Sequence, residues 1–289
     1  MEGYLVSSGD FNFQLALLPL EELHLHEETI PELVEKLAME IEEMRILRNP
    51  VIVDDKHRVV LDGTHRVEAL GRIRCIHIPS CILDYFSPKV LLRRWFRVFR
   101  CGFFEEVAKR ALKHLGFDSS ESPVERVLNE LNSRELACGL LWRDGGLKIF
   151  DDESDRLVDR LDKVRRIEGE LRNLGCMTGY EIEAEALEKL SRGSVDGVLA
   201  LPPIEKNDVI EYALKGHRFP RKTTRHVIPA RPWNVNAPLN LLQRRDLNLE
   251  EANKLFLNLL KGKQVRHIPP GAILDGRRYE EEIYEFVDE

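Results

Sequence analysis

Glutamine is almost missing from this chain of 289 residues: only Gln14, Gln243 and Gln264 occur. Amides are heat-labile, so scarce glutamine beside 32% charged residues is a bias of proteins from hot environments, where ion-pair networks gain value. No apolar run approaches the roughly 18 to 20 residues that a membrane helix needs. The start, Met1-Glu2-Gly3-Tyr4, lacks a basic stretch followed by an apolar one, so neither a signal nor a transit peptide is supported, and the cytoplasm is the expected compartment. Cysteine is sparse too: Cys75, Cys81, Cys101, Cys138 and Cys176 form an odd set with no Cys-x-x-Cys spacing. That argues against a zinc ribbon, a thioredoxin-type site or a secreted disulfide framework, and all five are expected to be buried thiols. Gly-x-x-x-x-Gly-Lys-Ser/Thr, Gly-x-Gly-x-x-Gly and the protein-kinase catalytic set are also absent, so any phosphate chemistry must use another scaffold.

What is present is the composition of a folded globular chain, 43% apolar, long enough for one large or two modest domains. Lys and Arg number 43 against 50 Asp and Glu, a net charge of −7 that hides a polarity along the chain. Residues 20–43 carry nine acids and a single base, Lys36, whereas no acid occurs between Glu211 and Asp246. That second stretch holds Lys215, Arg218, Arg221, Lys222, Arg225, Arg231, Arg244 and Arg245. A local positive field in an acidic protein suits a small polyanion such as a nucleotide better than a long nucleic acid; the plainer alternative is a solvated basic loop.

Phe11, Phe13, Leu15 and Leu17 alternate with polar or small residues as in a half-buried strand closed by Pro19. Pro31 opens a helix with Val34, Leu37, Ala38 and Ile41 at helical spacing, expected to end at Asn49-Pro50. Val51–Val53 and Val59–Leu61 read as a hairpin, a helix follows along Val67, Leu70 and Ile73, and Ile76–Leu83 returns as a strand. The stretch Lys89–Leu115 reads as a helix, basic on one side through Arg93, Arg94, Arg97 and Arg100. A hairpin is expected at 136–150, turning at Asp144-Gly145-Gly146. A long charged helix is expected from about Glu153 to Leu174, with Gly175 as its C-cap. Helix, strand and helix then follow near 181–192, 196–201 and 205–215. No internal repeat, low-complexity tract or long linker is visible, so a second domain is expected to pack closely on the first.

The segment Asp62-Gly63-Thr64-His65-Arg66 lies between a strand end and a helix start, where free backbone NH groups and the positive end of the helix dipole attract anions. Gly63 would let a phosphate approach, His65 and Arg66 would add donors, and Asp62 could hold a divalent cation; an ordinary Asp-Gly turn is the plainer alternative. Glu27 lies on a loop after His26 and before Pro31, either a general base or one more acid near a helix start. His24 and His26 lack a third metal ligand at convincing spacing and read as structural. Arg221-Lys222-Thr223-Thr224-Arg225-His226, between Pro220 and Pro229, supplies the donor types that grip carboxylate or phosphate. Trp95 reads as a core anchor or a substrate contact.

Taken together, His26-Glu27, the run from Val60 to Leu70, Ile82 to Phe86 and Lys222 to Pro229 resemble the archaeal free L-serine kinases of the ParB/sulfiredoxin superfamily, over residues 15–100 and 155–235. The resemblance implies an α/β (α+β) fold: a ParB/sulfiredoxin-like nucleotide and catalytic core at 1–100, a second α/β region at 101–245 that completes the active site with its basic loop, and a C-terminal extension at 246–289. It implies transfer of a phosphoryl group from ADP or ATP to free L-serine, with Mg²⁺, giving O-phospho-L-serine on the way to cysteine. Glu27, Asp62 and His65 would be catalytic, and Gly63, Thr64, His65 and Arg66 would hold the nucleotide phosphates. Trp95, Thr223, Thr224, Arg225 and His226 would hold substrate, and Asp62 would be the Mg²⁺ ligand. Thr64 departs from the second histidine frequent at that place in relatives. A sulfiredoxin-type reductase would need a reactive cysteine there and is disfavoured. A ParB-like nucleotide-dependent DNA-binding module, the alternative, should carry a helix-turn-helix and a basic balance that this chain does not show. The partners expected are serine and nucleotide, without membrane or nucleic acid. No motif measures the length of the donor's phosphate chain or specifies an oligomeric state.

Overall fold

The computed structural model describes residues 3–150 and 157–288. The chain divides into two compact units: Met1–Leu91, Lys206–Arg218 and His226–Glu289 form unit 1, and Leu92–Glu205 with Phe219–Arg225 form unit 2. Both are mixed α/β, the expected class.

Unit 1 begins with an antiparallel ribbon of Tyr4–Ser8 (β1) and Phe11–Pro19 (β2). Phe11, Phe13 and Leu15 are buried on the expected alternation, and from Leu15 to Leu18 both faces of β2 are covered. His24–Leu25 (β3) is short, and Pro31–Met44 (α1) starts at the proline with Val34, Ala38 and Ile41 inward. The helix stops before the expected Asn49-Pro50 because Arg45 turns left-handed at φ 59° and Ile46–Leu47 (β4) takes over. Val51–Asp54 (β5) and Val59–Asp62 (β6) form the hairpin, Thr64–Arg72 (α2) follows, and His77–Leu83 (β7) is buried at every position. The sheet order is β1-β2-β7-β5-β6-β3, with β7 parallel to β5 and antiparallel to β2. Closing the parallel β5–β7 pair takes a crossover, and β6 with α2 supplies it, which puts the N-terminus of α2 at the end of β6.

In unit 2 the expected basic helix from Lys89 does not form. Leu91–Arg100 (β8) is a strand, apart from its first residue within unit 2, and the helix is confined to Phe104–Leu115 (α3). Arg93, Arg94, Arg97 and Arg100 are spaced as on a helix face, but Trp95, Phe96, Val98 and Phe99 are residues that favour a pleated, packed surface. The two arginines that go inward are buried and neutralised. Arg94 donates to both carboxylate oxygens of Glu183 at 2.7 and 3.0 Å and to the Leu201 carbonyl at 2.7 Å. Arg97, fully buried, donates to Glu168 at 3.0 Å. Burial alone would raise the Glu168 carboxyl, yet Arg97, Tyr180 and Arg172 hold it below its ordinary value.

The unit continues with Ser119–Ser122 (β9), Val124–Asn132 (α4), the expected hairpin Cys138–Trp142 (β10) and Gly145–Ile149 (β11), Leu157–Asn173 (α5), Met177–Ile182 (β12), Glu183–Ser191 (α6) and Gly197–Ala200 (β13). The expected start of α5 near Glu153 lies outside the described residues; its end is followed by Gly175 at φ 93°. The strands run β12-β8-β13-β10-β11-β9, and Phe96, Val98, Leu131, Leu141 and Val198 share the core beneath α4 and α6. Cys101 and Cys176 are joined by a disulfide, which corrects the expectation of five free thiols; Cys75, Cys81 and Cys138 are free and buried. The partners lie just beyond the ends of paired β8 and β12, where register brings Arg100 opposite Met177.

The chain returns to unit 1 with Lys206–Leu214 (α7), and Thr224–Val227 (β14) spans the sequence join between the units. Ala230–Trp233 (β15), Ala237–Pro238 (β16), Leu239–Leu242 (α8), Leu249–Lys261 (α9), Lys263–Ile268 (β17), Ile273–Leu274 (β18), Arg277–Arg278 (β19) and Glu282–Asp288 (β20) follow. The expected boundaries at 100/101 and 245/246 do not coincide with the units, because residues 246–289 are built into unit 1. A capping box of Asn248 and Glu251 opens α9. The buried Asn253 side chain bonds both the NH and the carbonyl of Leu17, at 2.7 and 3.0 Å, as a neighbouring strand would. β20 runs parallel to β15 and antiparallel to β17. Among the described residues no helix is long and apolar enough to cross a membrane.

The disulfide closes a loop of 75 residues, for which chain-entropy arithmetic gives about 4.5 kcal/mol as an upper figure. Cys101→Ser should lower unfolding stability by about 2 to 4 kcal/mol in urea titrations, as should reduction of the wild type. A urea midpoint that reductant does not move would contradict the pairing.

Candidate functional site

The centre of unit 1 is the turn after β6. Gly63 has a φ of 107°, and a Cβ placed there would come within 2.7 Å of Val51 Cγ1 and 2.9 Å of Arg66 Cζ, so only glycine fits. Gly63 is the N-cap of α2 and its carbonyl accepts from Arg66 and Val67, while the first NH groups of the helix face outward along its axis as at any helix start. The anion-attracting arrangement expected from the sequence is present: strand end, glycine, helix N-terminus.

Asp62 is held between two guanidinium groups. Arg231 lies 2.7 Å from its Oδ2 and Arg66 3.4 Å from its Oδ1. Arg66 also donates to the carbonyls of Asn49, at 3.1 Å, and Pro50, so much of its donor capacity is directed to the backbone. Arg231, 9% exposed, meets Glu281 on its far side at 2.6 Å. Burial opposes its charge, and Asp62 and Glu281 more than restore it. Asp62, Arg66 and Arg231 are among the residues that line a cavity of about 300 Å³.

The segment that follows Glu27 is tied to helix α2. His65 Nε2 accepts from the Ile30 NH at 3.1 Å, and Glu68, one turn on, accepts from the Thr29 hydroxyl and from Arg218. These bonds fasten the segment 27–31 to the first two turns of α2. The Nε2 lone pair of His65 is thereby engaged, which leaves Nδ1 as the donor position of the neutral ring. Glu27 and Asp62 both act electrostatically on His26.

Beneath them lie two buried histidines. His26 contacts the Val60 carbonyl through Nδ1 at 2.7 Å and meets His226 edge to face, with ring centroids 5.1 Å apart. His226 contacts Tyr85 Oη through Nε2 at 2.8 Å and also bonds the Leu61 backbone. Burial lowers the pKa of both, that of His226 well below its ordinary value, with the neighbouring His26 adding to the effect. His226 thus lies within electrostatic reach of Asp62, as a ring held on two sides whose charged form burial disfavours. Lys206 donates to the Ser87 carbonyl at 2.9 Å and stands over the Tyr85 ring; burial lowers its pKa.

The other expected substrate residues form a second group, within unit 2. Lys222 and Arg225 lie over the half-buried Trp95 ring at 4.8 and 5.4 Å, and the Trp95 NH donates to the Thr223 carbonyl. Arg97 donates to the carbonyls of Arg221 and Lys222, which anchors this basic segment to the sheet. Thr223 and Thr224 are buried, and the Thr223 hydroxyl donates to the Pro220 carbonyl at 2.5 Å.

Tyr85, Lys206 and Arg231 were not singled out as site residues from the sequence. Tyr85 sits in the Ile82–Phe86 segment and Arg231 in the acid-free stretch, so both had a signal; Lys206 had none. Among the described residues no group of three or more His, Cys, Asp or Glu could hold a metal ion. Asp62 therefore fits Mg²⁺ only in the mode in which one or two carboxylates share the ion with substrate phosphates and water.

The neutral histidine pair makes stability sensitive to acid. Unfolded histidine binds its proton near pH 6.5 and the folded pair does not, so below that pH the unfolded state takes up more protons and stability falls as pH falls. His226→Gln should flatten the dependence of thermal midpoint on pH between 6.5 and 5, removing at most about 1.4 kcal/mol per pH unit. An unchanged slope would mean that the ring is charged in the fold.

No protein-family model matches the chain. An ATP-dependent L-serine kinase of Staphylothermus marinus is 28% identical over 237 residues, covering 78% of this chain and 90% of that protein. The ADP-dependent L-serine kinase SerK of Thermococcus kodakarensis is 28% identical over 235 residues, 78% and 91% of the two chains. A ParB-like protein of Sulfolobus acidocaldarius is 29% identical over 221 residues, 75% and 92% of the two. Among solved structures, a glutamate-to-glutamine variant of a free serine kinase in complex with AMP superposes with a TM-score of 0.68 at 24% identity, over 79% of this chain and 93% of that one. SbnI of Staphylococcus aureus with a C-terminal truncation gives 0.67 at 19% identity, over 86% and 95%. This chain accordingly resembles the L-serine kinases over most of its length and has the fold of the solved free serine kinases.

Proposed function

We propose that this protein is a kinase that transfers a phosphoryl group from ADP or ATP to the hydroxyl of free L-serine. The observation that supports the reading is that Thr29 and Ile30, two and three residues after Glu27, bond Glu68 and His65 of α2, next to the glycine-capped start of that helix. The serine oxygen attacks the terminal phosphorus, the bond from that phosphorus to its bridging oxygen breaks, and AMP or ADP leaves. The hydroxyl proton passes to the Glu27 carboxylate. A serine hydroxyl is a weak nucleophile at neutral pH, and an aligned base contributes a factor of about 10² to 10⁴.

The rest is charge placement. The helix start with Gly63 and Thr64 receives phosphate oxygens through backbone NH groups, and His65 adds its Nδ1–H. Asp62, with its two arginines, fixes the geometry of the turn, and the nucleotide's Mg²⁺, which when bound would offset phosphate charge, would have to share that carboxylate with Arg66 and Arg231. Arg66 acts chiefly by shaping the turn, since it is tied to Asn49 and Pro50. Trp95, Thr223, Thr224 and Arg225 serve the amino-acid substrate, with Arg225 as the guanidinium for a carboxylate or for the transferred phosphoryl group. His226 supports the floor. The reaction feeds cysteine formation and belongs in the cytoplasm, where free serine and nucleotide meet.

Glu27→Gln should keep the fold and the nucleotide affinity and lower kcat by about 10² to 10⁴; near-normal turnover would move the base elsewhere. Arg225→Ala should weaken serine binding or lower kcat, whereas Arg245→Ala, exposed beside the Arg74 carbonyl, should do little. Steady-state kinetics with serine and nucleotide varied separately assign the effect. Unchanged constants in Arg225→Ala would remove that residue from the substrate site.

A further inference from the structure

A second and larger cavity, of about 770 Å³, lies within unit 1, lined by α2, β3 and the end of α7, and the turn from Asp62 to Arg66 contributes no residue to it. Its walls are aliphatic, with Leu20, Leu23, Leu25, Val67 and Ile76, and no Phe, Tyr or Trp lines it. Two features of the lining have no use inside the chain. His77 is 5% exposed, and neither of its ring nitrogens has a hydrogen-bond partner among the described residues. Burial lowers its pKa, and a neutral imidazole carries one donor and one acceptor, so both stand unmet at a cost to the fold. Gly71 sits in the last turn of α2, where glycine weakens a helix, yet a Cβ there would meet only Leu20 Cδ2, at an ordinary 3.8 Å. Packing does not require the glycine; what it leaves is open space beside Leu20. The lining also carries charge: Arg218 gives one nitrogen, Nη1, to Glu68 and has Nη2 and Nε unused among the described residues, and Glu21 stands exposed.

We infer that this cavity is a second ligand site, for an aliphatic carboxylate whose hydrocarbon chain lies along the leucines and whose carboxylate takes the Arg218 guanidinium. The site goes beyond the kinase reading and does not rest on it. The volume falls in the range of small-molecule sites, and apolar walls with a few polar groups are their usual composition. A flat aromatic ligand would find no stacking partner here, whereas aliphatic walls reward a chain by up to about fourfold in affinity for each methylene they bury. A guanidinium with two nitrogens to spare matches a carboxylate through two parallel N–H bonds. Polar groups that enter with such a ligand, its own or those of accompanying water, would supply His77 with the partner that the chain does not. Two sources offer this chemistry, a free fatty acid and an α-amino acid with a long aliphatic side chain. Glu21 tells them apart, since it attracts an ammonium group and repels a second carboxylate.

The test is titration calorimetry of butanoate, hexanoate, octanoate, L-2-aminooctanoate and octylamine against the full chain. Affinity should rise about tenfold for each two methylenes along the three fatty acids, and octylamine should bind at least tenfold more weakly than octanoate. Tighter binding of L-2-aminooctanoate than of octanoate assigns the amino acid as the source, and weaker binding assigns the fatty acid; both keep the site. Gly71→Leu fills the cavity and should weaken the tighter of these two acids at least tenfold, with a thermal midpoint no lower than that of the wild type. Arg218→Gln should bring that acid down to the level of octylamine. No binding of either eight-carbon acid to the folded wild type would overturn the site, as would an affinity indifferent to chain length, or wild-type affinity in folded Gly71→Leu or Arg218→Gln. The kinase reading is decided separately, by formation of phosphoserine in the wild type, whichever way the acids bind.

Discussion

The arrangement of unit 1 depends on one carboxylate shared by two arginines. Asp62 ends β6, precedes the glycine that caps α2, and is neutralised by Arg66 within the same turn and by Arg231 from 169 residues away. Without it, Arg66 would keep its backbone carbonyls and Arg231 would keep Glu281, but two largely buried guanidinium groups would lose the carboxylate between them, a loss on the scale of several kcal/mol. Because Arg231 also takes Glu281, the same charge network reaches from the turn after β6 to the C-terminal segment. The segment after α8 is therefore joined to the centre of the unit by ion pairs, by the Asn253 bridge to β2 and by the parallel pairing of β20 with β15.

Burial lowers the pKa of His26 and of His226 and keeps Tyr85 protonated, so these rings add no cation of their own to Lys206, which stands over Tyr85. A carboxylate meant to accept a proton works best where nothing permanently neutralises it, and a phosphate meant to be transferred is best held by donors that do not follow it. Backbone NH groups at a helix start meet the second requirement. The bonds from Glu68 and His65 to Thr29 and Ile30 hold the segment that follows Glu27 against α2.

What could be read from the sequence was local. The turn from Asp62 to Arg66 was legible because strand, glycine and helix lie within a few residues, and the hairpin of β5 and β6 because its β-branched runs flank a polar turn. β8 was misread because arginine spacing imitated a helix face, while the partners that make those arginines acceptable inside a sheet, Glu183 and Glu168, lie 89 and 71 residues away. The disulfide carries no motif, since its register is set by β8 pairing with β12. Arg231 lay in plain view in the acid-free stretch, but a charge acquires its role only when the fold chooses its partner. Glu281 was hidden for the same reason, at the end of a segment with no pattern of its own.

The most direct measurement incubates the purified wild-type chain with L-serine, Mg²⁺ and either ADP or ATP, and follows the phosphorus-containing products by NMR and mass spectrometry. The account predicts O-phospho-L-serine in equal amount with AMP from ADP, or with ADP from ATP, and none when serine is omitted. A folded, nucleotide-binding protein that yields no phosphoserine from either donor would contradict it.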